Sequence, residues 1–217
     1  MSQAALDKLK AKFGDAVLET HSDHGDDTAV VKADSWKAMC EFLRKDTQLD
    51  FDYLVDLCAV DYPERAAKHE RLEVVLHLCS IGKRHRLRLK ARVGGEGDGE
   101  GGALEGAEID SVTSIWPGAN WFERETYDMF GVTFRGHPDM RRILMYPEFV
   151  GHPLLKDYPA QRTQPLIPYR TEEEAGVPLE KQAPFGDDEG MSFPRKDFDR
   201  DAEDPRTKLN PHKTEAV

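Results

Sequence analysis

Residues 71–93, RLEVVLHLCSIGKRHRLRLKARV, are the stretch whose reading decides the fold. Leu72, Val74, Leu76 and Leu78 alternate with Arg71, Glu73, Val75 and His77. His85, Leu87, Leu89, Ala91 and Val93 then alternate with Arg84, Arg86, Arg88, Lys90 and Arg92. A repeat of two is the mark of strands with one face on a core and the other wet. Working outward, Phe51–Val60 is nearly apolar on both faces and reads as a central strand. Before it, Trp36, Met39, Cys40 and Leu43 recur at helical spacing behind an Asp34 or Ser35 cap. Residues 3–13 place Leu6, Leu9 and Phe13 on one face of a first helix. Val17–Thr20 and Thr28–Val31 read as two strands around a polar turn containing Gly25. The expected fold is therefore α+β: a two-layer domain with helices packed on one mixed five-stranded sheet, followed by a motif segment and an extended arm.

The cationic face of the second strand raises a nucleic-acid reading, which the rest of the chain opposes. The formal net charge is −11 over 217 residues, and no aromatic residues interleave with the cations to stack bases. The stripe reads instead as a wet or protein-facing surface, with Glu73, Asp52 or Asp56 as cross-strand partners. His21, Asp23, His24, Asp26 and Asp27 resemble metal ligands in type, but in a turn nothing rigid fixes their geometry, and they read as a solvated loop. Cys40, Cys58 and Cys79 are too far apart for an iron–sulfur or structural zinc cage, and read as reduced, buried thiols. The Gly-rich run 94–106 lacks a Lys-Ser/Thr end and carries carboxylates, so it is expected to be a flexible surface loop and not a phosphate cradle. No window reaches the ~18 apolar residues of a membrane span. The N-terminus resembles neither a signal nor a transit peptide, which points to the bacterial cytoplasm.

Ile109–Trp116 leads into the densest part of the chain, WPGANWFERETYDMFGVTFRGHPDMRRILMYPEFVGHPLLKDYP, residues 116–159. Asn120 is read as a helix N-cap, with Glu123 three residues on and Gly131 as the stop. Phe122, Thr126, Met129 and Phe130 form one face, and Trp121, Glu125 and Asp128 a second stripe. Carboxylates beside an apolar face need water or cations, and Arg124, Arg141, Arg142 and Lys156 are at hand. His137 and His152 sit in Gly-His-Pro turns, where an imidazole bridging two backbone groups is the expected role. Glu123, Glu125, Asp128, His137 and His152 could also be read as an acid–base or metal cluster. No nucleophile elbow, zinc-protease helix, phosphate loop or dinucleotide fingerprint accompanies them, so no autonomous catalytic site is expected.

ERETYDMF, followed by His137, Arg141, Ile143 and Leu144 and then by GHPLLKDYP, resembles the signature of the thirty-kilodalton subunit family of respiratory complex I, the proton-pumping NADH:quinone oxidoreductase. Leu155 departs from it, standing where that pattern leads one to expect a basic residue. The close match covers about a fifth of the chain. The resemblance implies a structural, docking subunit of the quinone-reducing module of the peripheral arm, beside subunits of the forty-nine-kilodalton and twenty-kilodalton types. It implies no cofactor in this chain, with FMN, iron–sulfur clusters and quinone held by other subunits. The implied place is peripheral, on the cytoplasmic side of the bacterial inner membrane. The signature and interface residues so marked are Glu123, Arg124, Glu125, Asp128, His137, Arg141, Arg142, His152, Lys156 and Asp157. Two other readings stand beside it: an equivalent subunit of a membrane-bound hydrogenase-type complex, and a free-standing enzyme. By this reading residues 1–115 form the α+β domain and 116–159 complete it as the docking surface. Residues 160–217, rich in proline and acid, form an arm with Phe185, Met191, Phe193 and Phe198 as sparse anchors.

Overall fold

The computed structural model describes residues 2–165. The arm expected over 160–217 lies outside the described residues beyond Pro165. The five-stranded sheet has the order β1 (Val17–Asp23), β2 (Asp26–Val31), β5 (His85–Val93), β4 (Leu72–Ser80), β3 (Tyr53–Asp61). β2 and β5 run parallel and the other neighbours antiparallel, so the sheet is mixed as expected. Register explains the alternation. Leu57, Leu76 and Leu89 form one row across β3, β4 and β5, and Ala59, Val74 and Ala91 the next, all buried. Helix α1 (Ser2–Phe13) brings Leu6 and Leu9 to these rows, and α2 (Trp36–Lys45) brings Trp36, Met39, Cys40 and Leu43, which completes the second layer.

The opposite face carries the cations in register with anions. Glu73, almost fully buried, receives Lys90 Nζ at 2.6 Å and Arg65 Nη1 at 3.3 Å, with Arg92 Nε at 3.5 Å. Arg92 also reaches Glu19, and Arg88 reaches Asp26 at 2.9 Å. Of the three expected partners only Glu73 serves; Asp52 instead accepts the Ile81 N–H at 3.0 Å, and Asp56 pairs with no cation among the described residues.

Several local expectations need correction. β3 is an edge strand, not a central one. Helix α3 (Ala119–Phe130) lies along its outer edge, with Thr126 Oγ1 donating to the Leu57 carbonyl at 3.4 Å. Tyr53, Val55 and Val60 remain 52, 43 and 37% exposed. Neither Asp34 nor Ser35 makes a side-chain cap; a 3-10 turn over Ala33–Ser35 starts α2 instead. β1 and β2 extend further than the alternation suggested and leave only His24 and Gly25 as the turn, both at positive φ. Among the described residues no cluster of three or more His, Cys, Asp or Glu is placed to hold a metal. The run 94–106 is a packed loop: Gly95 N–H donates to Glu105 O at 2.6 Å, Asp98 accepts from Glu100 and Gly102, and Leu104 is buried. Cys40 is buried, while Cys58 and Cys79 are half-buried, and all three are free thiols. A small parallel sheet of β6 (Glu108–Asp110) and β7 (Thr133–Arg135) frames α3 and was not legible in the alternation. Three-residue strands are too short to show a period.

Candidate docking surface

Helix α3 begins two residues earlier than the Asn120 cap implies, after Gly118 and without a side-chain cap. Its N-terminal N–H groups are therefore not where Glu123 is used. Glu123 is fully buried, its carboxylate accepting Ser111 Oγ–H and the Val112 N–H, each at 2.7 Å. It ties the helix to the loop after β6. Burial pushes this carboxyl up to about 7, against the pull of its two donors. No cation pairs with it among the described residues, contrary to the expectation that arginines would serve. Gly131 ends the helix at φ 79°, as read, and a side chain there would meet the His152 ring.

From β7 onward no helix or strand is formed up to Pro165. This irregular stretch is held by two buried ion clusters. The first is Asp128, fully buried near the end of α3. Its Oδ2 accepts the consecutive N–H groups of Ile143, Leu144 and Met145 at 3.0, 2.8 and 2.8 Å. Its Oδ1 takes Arg142 Nη1 at 2.6 Å, and Arg142 Nη2 goes on to the Gly151 carbonyl at 2.9 Å. Burial raises this carboxyl, but the Met145, Leu144 and Ile143 N–H groups and Arg142 outweigh it and hold it below the usual carboxylate range. His152, also buried, donates Nδ1–H to the Asp128 carbonyl at 3.0 Å; burial and the nearby Arg142 keep its imidazole on the neutral side.

The second cluster lies at the far end of β3. Arg71 Nε and Nη2 grip Asp61 at 2.8 and 3.0 Å, and Nη2 also faces Asp157 at 3.0 Å. The Lys156 N–H donates to Asp61 Oδ2 at 2.7 Å, so GHPLLKDYP is fastened to the sheet. Leu155, where the resemblance leads one to expect a basic residue, is 3% exposed and belongs to the core. Sequence reasoning missed Asp61 and Arg71. The signal was there: opposite charges close one strand and open the next, at positions where the alternation calls for apolar and wet faces respectively.

The remaining marked residues are local. His137 donates Nε2–H to Asn120 O at 3.2 Å and accepts the Asp139 N–H on Nδ1 at 3.0 Å, the two-backbone bridge expected of a Gly-His-Pro turn. Arg124 reaches the carbonyls of Arg141 and Arg142 and lies 5.6 Å from the Trp121 ring. Among the described residues Arg141 pairs only with Asp139, two residues away and on the surface. The Lys156 side chain and Glu125 are exposed and unpaired among the described residues. The acid–base cluster is therefore not assembled: Glu123, Asp128 and both histidines spend their polar atoms on backbone and structural partners. Around the fastened loop the surface is apolar, with Trp121, Leu144, Leu154, Val150 and Tyr146 exposed by 63, 56, 50, 43 and 38%.

Comparison with known proteins follows the same span. Residues 29–164 match the family model described as respiratory-chain NADH dehydrogenase, 30 Kd subunit. The chain is 42% identical over 157 residues to the C subunit of the NADH-quinone oxidoreductase of Geotalea uraniireducens, covering 72% of this chain and 87% of that protein. The corresponding C subunit of Sinorhizobium medicae is 43% identical over 151 residues, covering 70% and 69%. A chain in the structure of the membrane-bound sulfane sulfur reductase, an archaeal respiratory membrane complex, shares the fold, with a TM-score of 0.58 at 22% identity over 89% of this chain and 99% of that one. The family model covers more than half of the chain and the relatives exceed 40% identity, so the chain belongs to the respiratory-chain NADH dehydrogenase 30 Kd subunit family.

Proposed function

We propose that this chain is a non-catalytic docking subunit of a proton-pumping NADH:quinone oxidoreductase. In this reading it sits in the quinone-reducing module beside subunits of the forty-nine-kilodalton and twenty-kilodalton types, peripheral to the membrane on its cytoplasmic side. Electrons pass from NADH through FMN and iron–sulfur clusters to quinone in those other subunits, and this chain holds no cofactor. Among the described residues no helix is long and apolar enough to cross a membrane, which fits a peripheral place. The observation that carries the reading is the irregular segment 136–165, locked by Asp128–Arg142 and Asp61–Arg71–Asp157 while Leu144, Tyr146, Val150 and Leu154 face outward. A partly apolar surface whose backbone is held by buried ion pairs beneath it is what a specific interface needs, since aromatic and aliphatic anchors supply binding and fixed charges set register. The 42% identical relative favours this assembly over a hydrogenase-type one, whereas the shared fold at 22% identity is compatible with either.

The test is isolation of the tagged chain from its cells in mild detergent. Recovery with the other subunits and NADH:quinone activity is expected, and Trp121→Ala should reduce that recovery without lowering the melting midpoint of the isolated chain. The isolated chain should show no visible absorption from flavin or iron–sulfur. Turnover of NADH by the chain alone would overturn the proposal.

A further inference from the structure

A groove of about 280 Å3 lies between α3 and the outer edge of β3. Its apolar lining includes Ala59 and Met129, both buried, the half-buried Phe130 and the 50% exposed Leu154. Two carboxylates, Asp56 from the strand and Glu125 from the helix, share the same lining with Cys58. Both lie close enough to add to the effect of burial, which pushes the Cys58 thiol up. Neither carboxylate has a hydrogen bond or cation among the described residues, whereas Glu123, Asp128, Asp139 and Asp157 of the same segment all have partners.

Two unpaired carboxylates beside an apolar wall are stable in water, but covering the groove with an apolar surface alone would desolvate both without compensation. Whatever closes this groove must bring a cation between apolar neighbours. The groove is continuous with the proposed docking surface, since Glu125 and Leu154 belong to both. Resting on that reading, we propose that the groove receives a segment of a partner subunit in which an arginine or lysine, flanked by apolar residues, pairs with Glu125 and Asp56. Arginine suits it better, because its planar fork can satisfy carboxylates from two sides at an interface. A segment of this chemistry also exists in the chain itself, FPRKDF at 193–198. That segment lies beyond the family's matched residues 29–164, whereas the whole groove lies within them, so the occupant common to the family comes from another chain.

The experiment uses the assembled complex purified from cells in which the altered chain is the sole copy. With benzoylphenylalanine in place of Leu154, irradiation should link this position to a peptide of a different subunit, with Arg or Lys within a few residues of the attachment. Attachment to residues 193–198 of the same chain, to a second copy, to an acidic peptide or to nothing would overturn the proposal. In parallel, Glu125→Lys should lower recovery of the assembled complex on the order of tenfold, and Glu125→Gln by less, because a like charge opposes the incoming cation. Both variants should keep the melting midpoint of the isolated chain, since Glu125 is exposed and unpaired. Unchanged recovery with Glu125→Lys and with Asp56→Lys would sink the groove assignment. If Trp121→Ala still impaired assembly in that case, the docking function would stand without it.

Discussion

Replacing Asp128 by asparagine should unfasten the loop that carries the exposed apolar residues. The wild-type carboxylate collects three backbone N–H groups on one oxygen and the Arg142 guanidinium on the other, in a fully buried position. An amide of the same shape keeps one acceptor oxygen but turns an NH2 toward either the N–H row or the guanidinium. Hydrogen bonds to a charged group contribute about 1.5–3 kcal/mol each, and breaking a buried pair from one side costs about 3–5 kcal/mol. Arg142 keeps the carbonyls of Asp128 and Gly151 and its side chain is 14% exposed, which places the expected loss at the lower end, about 3 kcal/mol. At ~2–4 °C per kcal/mol for a domain of this size, the melting midpoint should fall by roughly 6–12 °C. The assay is thermal unfolding of the purified chain by circular dichroism, with Arg142→Met and the double variant closing a cycle. The double variant should lose less than the sum of the single losses, because it leaves no uncompensated guanidinium. The pH dependence has a fixed sign. Asp128 is held below its ordinary range, so its contribution is present above the unfolded carboxyl pKa and is lost as pH falls through the lower folded value. A midpoint for Asp128→Asn within about 1–2 °C of wild type would refute the view that this carboxylate organises the segment; that limit corresponds to about 0.5 kcal/mol.

Glu123 has the opposite sign: its folded value is raised to about 7, so the stability tied to its neutral form is full below the unfolded carboxyl range and is lost as pH rises through 7. The midpoint of Glu123→Gln relative to wild type should therefore improve between about pH 5 and about pH 8, and a flat difference would contradict the burial argument. Arg71→Met leaves Asp61 buried without its cation and should cost about 3–5 kcal/mol in denaturant unfolding, whereas Asp61→Asn/Arg71→Met together should recover part of it. Gly131→Ala places a Cβ 2.8 Å from His152 Cδ2 at φ 79°, so a loss beyond about 1 kcal/mol is expected, read from the same curves; an unchanged midpoint would exclude the close approach. Arg141→Ala removes a surface pair with its neighbour Asp139 and should leave the melting midpoint of the isolated chain unaltered.

The sheet was legible because register transmits itself to the sequence. Leu57, Leu76 and Leu89 lie in one row, so the alternation of each strand is the same dry face seen three times. Phe51–Val60 misled for a physical reason: apolar residues on two sides imply two covered faces, whereas Tyr53, Val55 and Val60 on the second side of this edge strand are exposed. In the signature segment the sequence located the right residues but not their partners. The histidine bridge at His137 followed from turn chemistry confined to neighbouring residues. Asp128 and Arg142 were both marked, yet the pairing of one with the other, and of Arg71 with Asp61 and Asp157, depends on chain folded back from up to 86 positions away, counted from Arg71 to Asp157. Charge type is visible in a sequence, but the geometry that decides which opposite charge is nearest is a property of the fold. For that reason Arg141 and Glu125, which looked equivalent to Arg142 and Asp128, turned out to be exposed.

Under the proposed docking function, the burial of charge in this family member has a use that stability alone does not supply. A stretch of some thirty residues without helix or strand, left free, would lose backbone freedom of about 1–2 kcal/mol per residue on docking, and that loss would be subtracted from affinity. Asp128 holds three consecutive N–H groups and Asp61 a fourth, so the backbone that displays Leu144, Tyr146 and Leu154 is already set in the isolated chain. An apolar core could hold the same loop at no desolvation cost, but it would fix position loosely; carboxylates accepting directed bonds fix each N–H individually. Replacing Asp128 and Arg142 together by apolar residues of similar volume removes the stranded charge but leaves three N–H groups without their acceptor, so the melting midpoint should recover only in part relative to the single variants while assembly stays impaired. Separating those two readouts distinguishes a cluster kept for the shape of a surface from one kept for the stability of the fold, and recovery of both at once would assign it to stability.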